Sequence, residues 1–215
     1  MKAIMFCGLS MLDSMHIRES MIRVPEVLAR IRKAQKTIDQ VTNQLVDLIN
    51  FMTEEDSVFQ NNAKLRRVLV NVVQLGLYDR HIKHFPKPQY FIGALSNLST
   101  MEHCIGLNYM DELIRSLWYQ DLETTKLTSF YVYEHAQLSP DTFETKKIDE
   151  DESCEAILSR LIRKGDVKQF VNVGPADAML DPYNNAYIFE DIQVFGTMEV
   201  DPMLTWFRPP IQYSA

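Results

Sequence analysis

Gln89-Tyr90-Phe91-Ile92-Gly93-Ala94-Leu95-Ser96-Asn97 reads as a short apolar strand running into a sharp turn, with a helix from about Ser99. Upstream, Pro86 and Pro88 stop a helix predicted from about Ala63 to His81. In that helix Leu65, Val68, Leu69, Val72, Val73 and Leu77 are apolar on more than one face, which predicts deep burial. Pro25 opens an earlier helix, at a position where its missing N–H costs nothing; Leu28, Ile31, Ile38, Val41, Leu45 and Ile49 recur at helical spacing. Downstream, Gly106 breaks the helix after the turn, and Met110–Trp118 forms another with Leu113, Ile114 and Leu117 inward.

Shorter runs fill the rest. Lys2–Phe6 is a strand ending at Cys7-Gly8, and Ser10–Arg23 reads as a loop with a short helix. Asn50–Asn62 is polar and reads as an exposed connection. Thr128–Tyr133 is a strand, Pro140–Asp151 an acidic loop, and Ser153 caps a helix ending at Lys164-Gly165. Gln169–Val173 is a strand closed by Gly174-Pro175. Tyr187–Phe195 supplies one or two short strands, and the tail holding Pro202, Pro209 and Pro210 is packed coil. Strands alternating with helices imply an α/β fold: a mostly parallel sheet with helices on both faces, in one domain over 1–215.

With 215 residues, 46% of them hydrophobic, the chain can bury one real core. Its net charge of −7 argues against nucleic acid, which wants a basic surface. No apolar run approaches the roughly 20 residues that span a bilayer. The opening Met-Lys-Ala-Ile-Met-Phe-Cys-Gly is too short in apolar residues for a signal peptide, so a soluble, cytoplasmic protein is expected. Cys7, Cys104 and Cys154 are odd in number and far apart, which fits reduced thiols. Neither a metal nor a cofactor is expected: the histidines lack metal spacing, and 7 glycines are few for phosphate-cradling loops.

In many acyl-transfer enzymes a strand–turn–helix of this kind presents a nucleophilic serine as Gly-x-Ser-x-Gly. Gly93 holds the first glycine. Leu95, which has no nucleophilic atom, stands where the serine would be, and Asn97 replaces the closing glycine. Ser96, one residue along, is the alternative nucleophile; otherwise it caps the following helix. His135, in Tyr133-Glu134-His135-Ala136, is the candidate base; otherwise it is a surface histidine beside Glu134.

In order and spacing these segments resemble the malonyl-CoA:acyl-carrier-protein transacylase family, the acyltransferase domains of fatty-acid and polyketide synthesis. Phe6-Cys7-Gly8-Leu9-Ser10 lies where the family has a strand and a Phe-Pro-Gly-Gln-Gly turn, and Leu9 falls on the glutamine that contributes to its oxyanion hole. The family helix before the elbow is similar in pattern to Asn71–Tyr78. Gly93-Ala94-Leu95-Ser96-Asn97-Leu98 aligns without gaps on its Gly-His-Ser-Leu-Gly-Glu, and the same register reaches Gly106. The family's carboxylate-gripping arginine falls near Gln120, and its Val-Gly-Pro turn on Val173-Gly174-Pro175. The resemblance implies an acyltransferase-like large subdomain whose ferredoxin-like insertion is absent or reduced to a hairpin, within 121–151.

It also implies a catalytically degenerate member. Removing the nucleophile or base of such a unit costs on the order of 10⁴–10⁶ in rate. Leu9, Leu95 and Leu98 would make the former active-site floor apolar, able to hold an acyl chain. Basic residues cluster at the start (Lys64, Arg66, Arg67) and end (Arg80, Lys83, Lys87) of the second long helix. An acidic acyl carrier protein or a synthase component could dock there; solvated helix ends are the plainer reading. A lost subdomain would bare an apolar face, for which self-association or docking to a synthase is the natural solution. Two further classes stay open: an active acyltransferase or thioesterase using Ser96 and His135, and an interaction protein with no link to acyl transfer.

Overall fold

The computed structural model describes residues 2–6, 9–119, 130–139, 142–152, 154–163, 167, 169–174 and 193–205. The described strands are β1 (Lys2–Phe6), β2 (Tyr90–Ala94), β3 (Phe130–Ser139), β4 (Thr142–Glu152), β5 (Gln169–Asn172) and β6 (Gln193–Gly196). They form one sheet in the order β4-β3-β2-β1-β5-β6. Pairings β2–β1, β1–β5 and β5–β6 are parallel; β2–β3 and β3–β4 are antiparallel. The sheet is therefore mixed, with a parallel half centred on β1 and an antiparallel hairpin along one side.

The helices are α1 (Met15–Ile22), α2 (Pro25–Thr42), α3 (Leu48–Met52), α4 (Asp56–Asn61), α5 (Ala63–His84), α6 (Leu98–Cys104), α7 (Met110–Tyr119), α8 (Cys154–Arg163), α9 (Thr197–Val200) and α10 (Pro202–Thr205). Successive strand residues face opposite sides, so each strand feeds two cores. Ile4, Phe6, Phe91, Tyr133 and Val171 pack with α2, α5, α6 and α7. Ala3, Met5, Tyr90, Ile92, Phe130, Val132 and Phe170 pack with Ile157, Leu158 and Leu161 of α8. Helices thus cover both faces. α5 is the central helix of the larger layer, with every side chain from Arg67 to Tyr78 buried.

Three readings need correction. Asn50–Asn62 is not an open connection. Asp47 Oδ1 accepts the Asn50 amide at 3.0 Å and starts α3, and Phe51 stacks on Phe59 of α4 with ring centroids 5.2 Å apart. The segment is drawn in by Arg18, which is fully buried. Its guanidinium donates to the carbonyls of Leu12 (2.9 Å), Asp13 (3.1 Å), Met52 (3.0 Å) and Glu54 (2.5 Å). It also pairs with Asp56 at 3.0 Å and lies 4.2 Å from the Phe59 ring centroid. Pro140–Asp151 is mostly strand rather than loop: β4 is the outer strand among the described residues, where charged residues are tolerated because one edge faces no described strand. The tail begins with a helical turn, α10, since proline suits a first helical position; residues 187–192 and 206–215 lie outside the described set.

Candidate functional site

The strand order reverses beside β1. The chain goes from β1 to β2 on one side and later returns through β5 to β6 on the other. Open α/β sheets hold ligands in the crevice beyond the carboxyl ends of their strands at such a point. β1 leads there into a 3-10 turn, Leu9–Leu12, and β5 into Val173 and Gly174. β2 leads into a 3-10 turn, Leu95–Asn97, and then α6. Phe6 lies opposite Gly93 in the parallel register, so the elbow borders the crevice.

The elbow is relaxed. Ala94 has φ −65° and ψ 157°, and Asn43 is the one non-glycine residue of positive φ among the described residues. The strained apex that exposes a nucleophile is not built at Leu95. Gly93 has its own packing reason: a Cβ there would lie 3.1 Å from Met101 Sδ of α6.

Leu95 is half-buried at the apex. Ser96 is turned inward, 8% exposed, and its hydroxyl donates to Asn97 Oδ1 at 2.9 Å. It does not cap α6; the N-cap is Asn97, which makes no side-chain capping bond. Asn97 is fully buried because its amide reaches behind the turn, donating to Gln74 Oε1 (2.8 Å) and Asn71 Oδ1 (3.2 Å) on α5. Asn71 Oδ1 also accepts from Thr100 Oγ1 at 2.6 Å, and its Nδ2 donates to the Arg67 carbonyl at 2.9 Å. Gln74 Nε2 donates to the Val173 carbonyl at 3.4 Å. A chain of side-chain amides therefore ties the turn after β2, through α5, to the turn after β5. Buried polar groups need such partners. The available signal is two amides three apart, Asn71 and Gln74, within the apolar middle stretch Val68–Tyr78 of α5.

His135 does not meet Ser96. β3 is antiparallel to β2, with Phe130 opposite Ala94 and Glu134 opposite Tyr90. At about 3.3 Å per residue, His135 lies roughly 16 Å down the sheet from the elbow end, in register with Thr145. Leu9 begins the turn after β1. Gln120 lies outside the described residues, as do Cys7 and Gly8.

Other histidines are engaged elsewhere. His103 on α6 has Nδ1 3.0 Å from the Asn108 carbonyl and Nε2 3.2 Å from Arg30 Nη1. The carbonyl can only accept, so Nδ1 carries the proton and Nε2 accepts from Arg30. Burial, then the Arg30 charge, lowers the His103 pKa. Arg30 in turn grips Asp79 with two bonds of 2.5 and 2.8 Å. His81 stacks on Phe85 at 4.7 Å; burial, then the Lys2 charge, takes its pKa down to about 4. Burial raises the Cys104 thiol, which leaves it poorly nucleophilic. No cluster of three metal-ligating side chains occurs among the described residues.

The six cations split between the two ends of α5, a helix of 22 residues and so about 33 Å long. At one end Arg66 pairs with Asp13 at 2.7 Å, Lys64 lies 5.0 Å from the Trp118 ring centroid, and the buried Arg67 donates to the Leu117 carbonyl at 2.5 Å. At the other, Arg80 binds Asp201 (2.5 and 3.2 Å) and Glu26 (3.4 Å); Lys83 also holds Glu26 at 2.8 Å. Lys87 is exposed. A groove of about 620 Å³ beside this end is lined by Pro25, Glu26, Arg30, Asp79 and Lys83 among others. Its lining includes no residue of the elbow.

No protein-family model, curated protein or solved structure matches the chain. No helix among the described residues is long and apolar enough to cross a membrane.

Proposed function

We propose that this chain is an acyltransferase-like protein of fatty-acid or polyketide biosynthesis that works by binding rather than by acyl transfer. Its partner would be an acyl carrier protein, a synthase component or an acyl chain. The observation that carries the reading is the Ser96 hydroxyl. It is enclosed and donates to Asn97 Oδ1, while Leu95 takes the apex. Activation of a serine requires a base within hydrogen-bond reach, and the sheet register sets His135 far from it. The hairpin of β3 and β4 supports a family frame whose insertion is reduced. An acyl chain would lie along Leu95 and Leu98 beside the crevice, and a carrier protein would meet the exposed cations at one end of α5, Lys83 and Lys87, with Lys64 at the other end outside that contact.

The test is intact-mass analysis after incubation with malonyl-CoA or acetyl-CoA, together with titration against holo acyl carrier protein. Unchanged mass with saturable carrier binding supports the reading. A stable acyl adduct that disappears in Ser96→Ala overturns it in favour of an active enzyme. Absence of both adduct and carrier or acyl-CoA binding would point to an interaction protein outside acyl metabolism.

A further inference from the structure

β4, with 11 residues, is the longest described strand, and among the described residues it lies at the outer edge of the sheet. Proteins usually keep edge strands short or distort them, because an open row of N–H and C=O groups recruits another strand. The opposite edge follows this rule: β6 has 4 residues. β4 follows it only in part. Its register against β3 is irregular on both sides of a regular window from Phe143 to Lys147, in which Phe143, Glu144, Thr145, Lys146 and Lys147 face Gln137, Ala136, His135, Glu134 and Tyr133.

We propose that this window, Phe143-Glu144-Thr145-Lys146-Lys147, is the contact by which two copies of the chain pair, antiparallel about a two-fold axis through Thr145. The choice of occupant and register follows from symmetry and charge. Residues opposite one another in an antiparallel pair lie on the same face of the sheet, and faces alternate along each strand. A two-fold pairing of identical strands must therefore centre on a residue, not between two. Centring on Glu144 puts Glu144 against itself; centring on Lys146 or Lys147 puts lysine against itself. Centring on Phe143 leaves the charges without opposite partners. Only Thr145 sets Glu144 against the partner's Lys146, and Lys146 against the partner's Glu144. It also sets Thr145 opposite its own copy, a favourable cross-strand pair, and Phe143 opposite the partner's Lys147, which brings no like charges together. The contact is isologous and closes at two, joining two six-stranded sheets into one. It involves none of the elbow residues and does not depend on acyl chemistry.

Sedimentation velocity across a concentration series tests this on the full chain. The wild type should show a reversible monomer–dimer equilibrium. Glu144→Lys and Lys146→Glu should each weaken it at least tenfold, since each turns two attractive pairs into two repulsive ones. Glu144→Lys is the cleaner change within the chain, because it faces Ala136, whereas Lys146 faces Glu134. Mixing the two single variants should restore the dimer as a heterodimer, with Glu against Lys at both positions, and so should the double variant E144K/K146E. Circular dichroism confirms folding of each, and amide exchange over 142–148 should slow with protein concentration in the wild type and the double variant but not in either single variant alone. A wild type monomeric at all concentrations overturns the proposal. So does a dimer indifferent to both single variants, or single variants that do not restore pairing when mixed.

Discussion

Gly76→Ala should destabilise the protein, although alanine is the better helix former. Gly76 lies inside α5, where alanine would ordinarily gain about 1 kcal/mol. The helix does not decide the outcome, because α2 crosses α5 at this point. A Cβ on Gly76 would lie 2.7 Å from the Val27 backbone nitrogen and 2.8 Å from Val27 Cγ2, with Val27 Cα also in the way. Carbon contacts settle at about 3.5–4.0 Å, so the helices must part by roughly 1 Å at their crossing. The obstacle is backbone, which no rotamer change moves. Overpacking of this kind costs about 1–3 kcal/mol and more where backbone is involved. The gross cost is on the order of 3–4 kcal/mol, and about 2–3 kcal/mol remains after the helix gain. For a chain of this size that lowers Tm by about 4–12 °C. Urea unfolding followed by circular dichroism reads the change as a lower midpoint with an unchanged slope. Adding Val27→Ala should not rescue it, because only one of the obstructing atoms is side chain. A Gly76→Ala variant as stable as the wild type would refute the close crossing of α2 and α5.

Arg18→Met should cost about 3–5 kcal/mol, since it strands the buried carbonyls of Leu12 and Met52 and takes the donor from the part-buried carbonyls of Asp13 and Glu54; Arg18→Lys should recover little, because an ammonium cannot reproduce the planar fork. Limited proteolysis should then cut first within 47–61, and a resistant Arg18→Met would contradict the clamp. Asn97→Gly completes a Gly-x-x-x-Gly spacing with Gly93, yet it should destabilise by about 2–4 kcal/mol by orphaning Gln74 Oε1 and Ser96 Oγ; an unchanged denaturation midpoint would show the amide chain to be dispensable. On acidification, stability should fall as pH drops below about 6.5. His81 and His103 have folded pKa values below those of the unfolded chain, so unfolding takes up protons. The stability they confer is intact above that point and is lost down towards the folded His81 value near 4. His81→Gln should flatten that part of the profile, and an unaltered profile would remove His81 as its source.

Much of the architecture was legible because burial writes itself into spacing. β2, its turn and α6 stand out where an apolar run meets a glycine, and α5 where apolar residues occupy every face. What stayed hidden depends on distant partners. β4 carries the charges of an outer strand, so it looked like a loop. Nothing in Phe130–His135 says which way the strand runs beside β2, and the antiparallel direction is what carries His135 away from Ser96. Nothing in Ser10–Arg23 singles out Arg18; its partners at Met52, Glu54 and Asp56 come from the polar segment Asn50–Asn62. Asn97 looked like a lost glycine, while its amide role becomes visible only once α5 lies behind the turn.

The central place of β1 also sets a timetable. Its neighbours begin at Tyr90 on one side and Gln169 on the other. At roughly 5–20 residues per second of synthesis, β1 waits some ten to thirty seconds before its second edge has a mate. During that interval Ala3, Ile4, Met5 and Phe6 form an apolar strand with an open side, the kind of segment that holdase chaperones bind and that aggregates when they are scarce. A ribosome-bound chain halted before Gln169 should therefore be far more chaperone-dependent than one extended past β6, because until β5 is made that side of β1 has no strand to pair with.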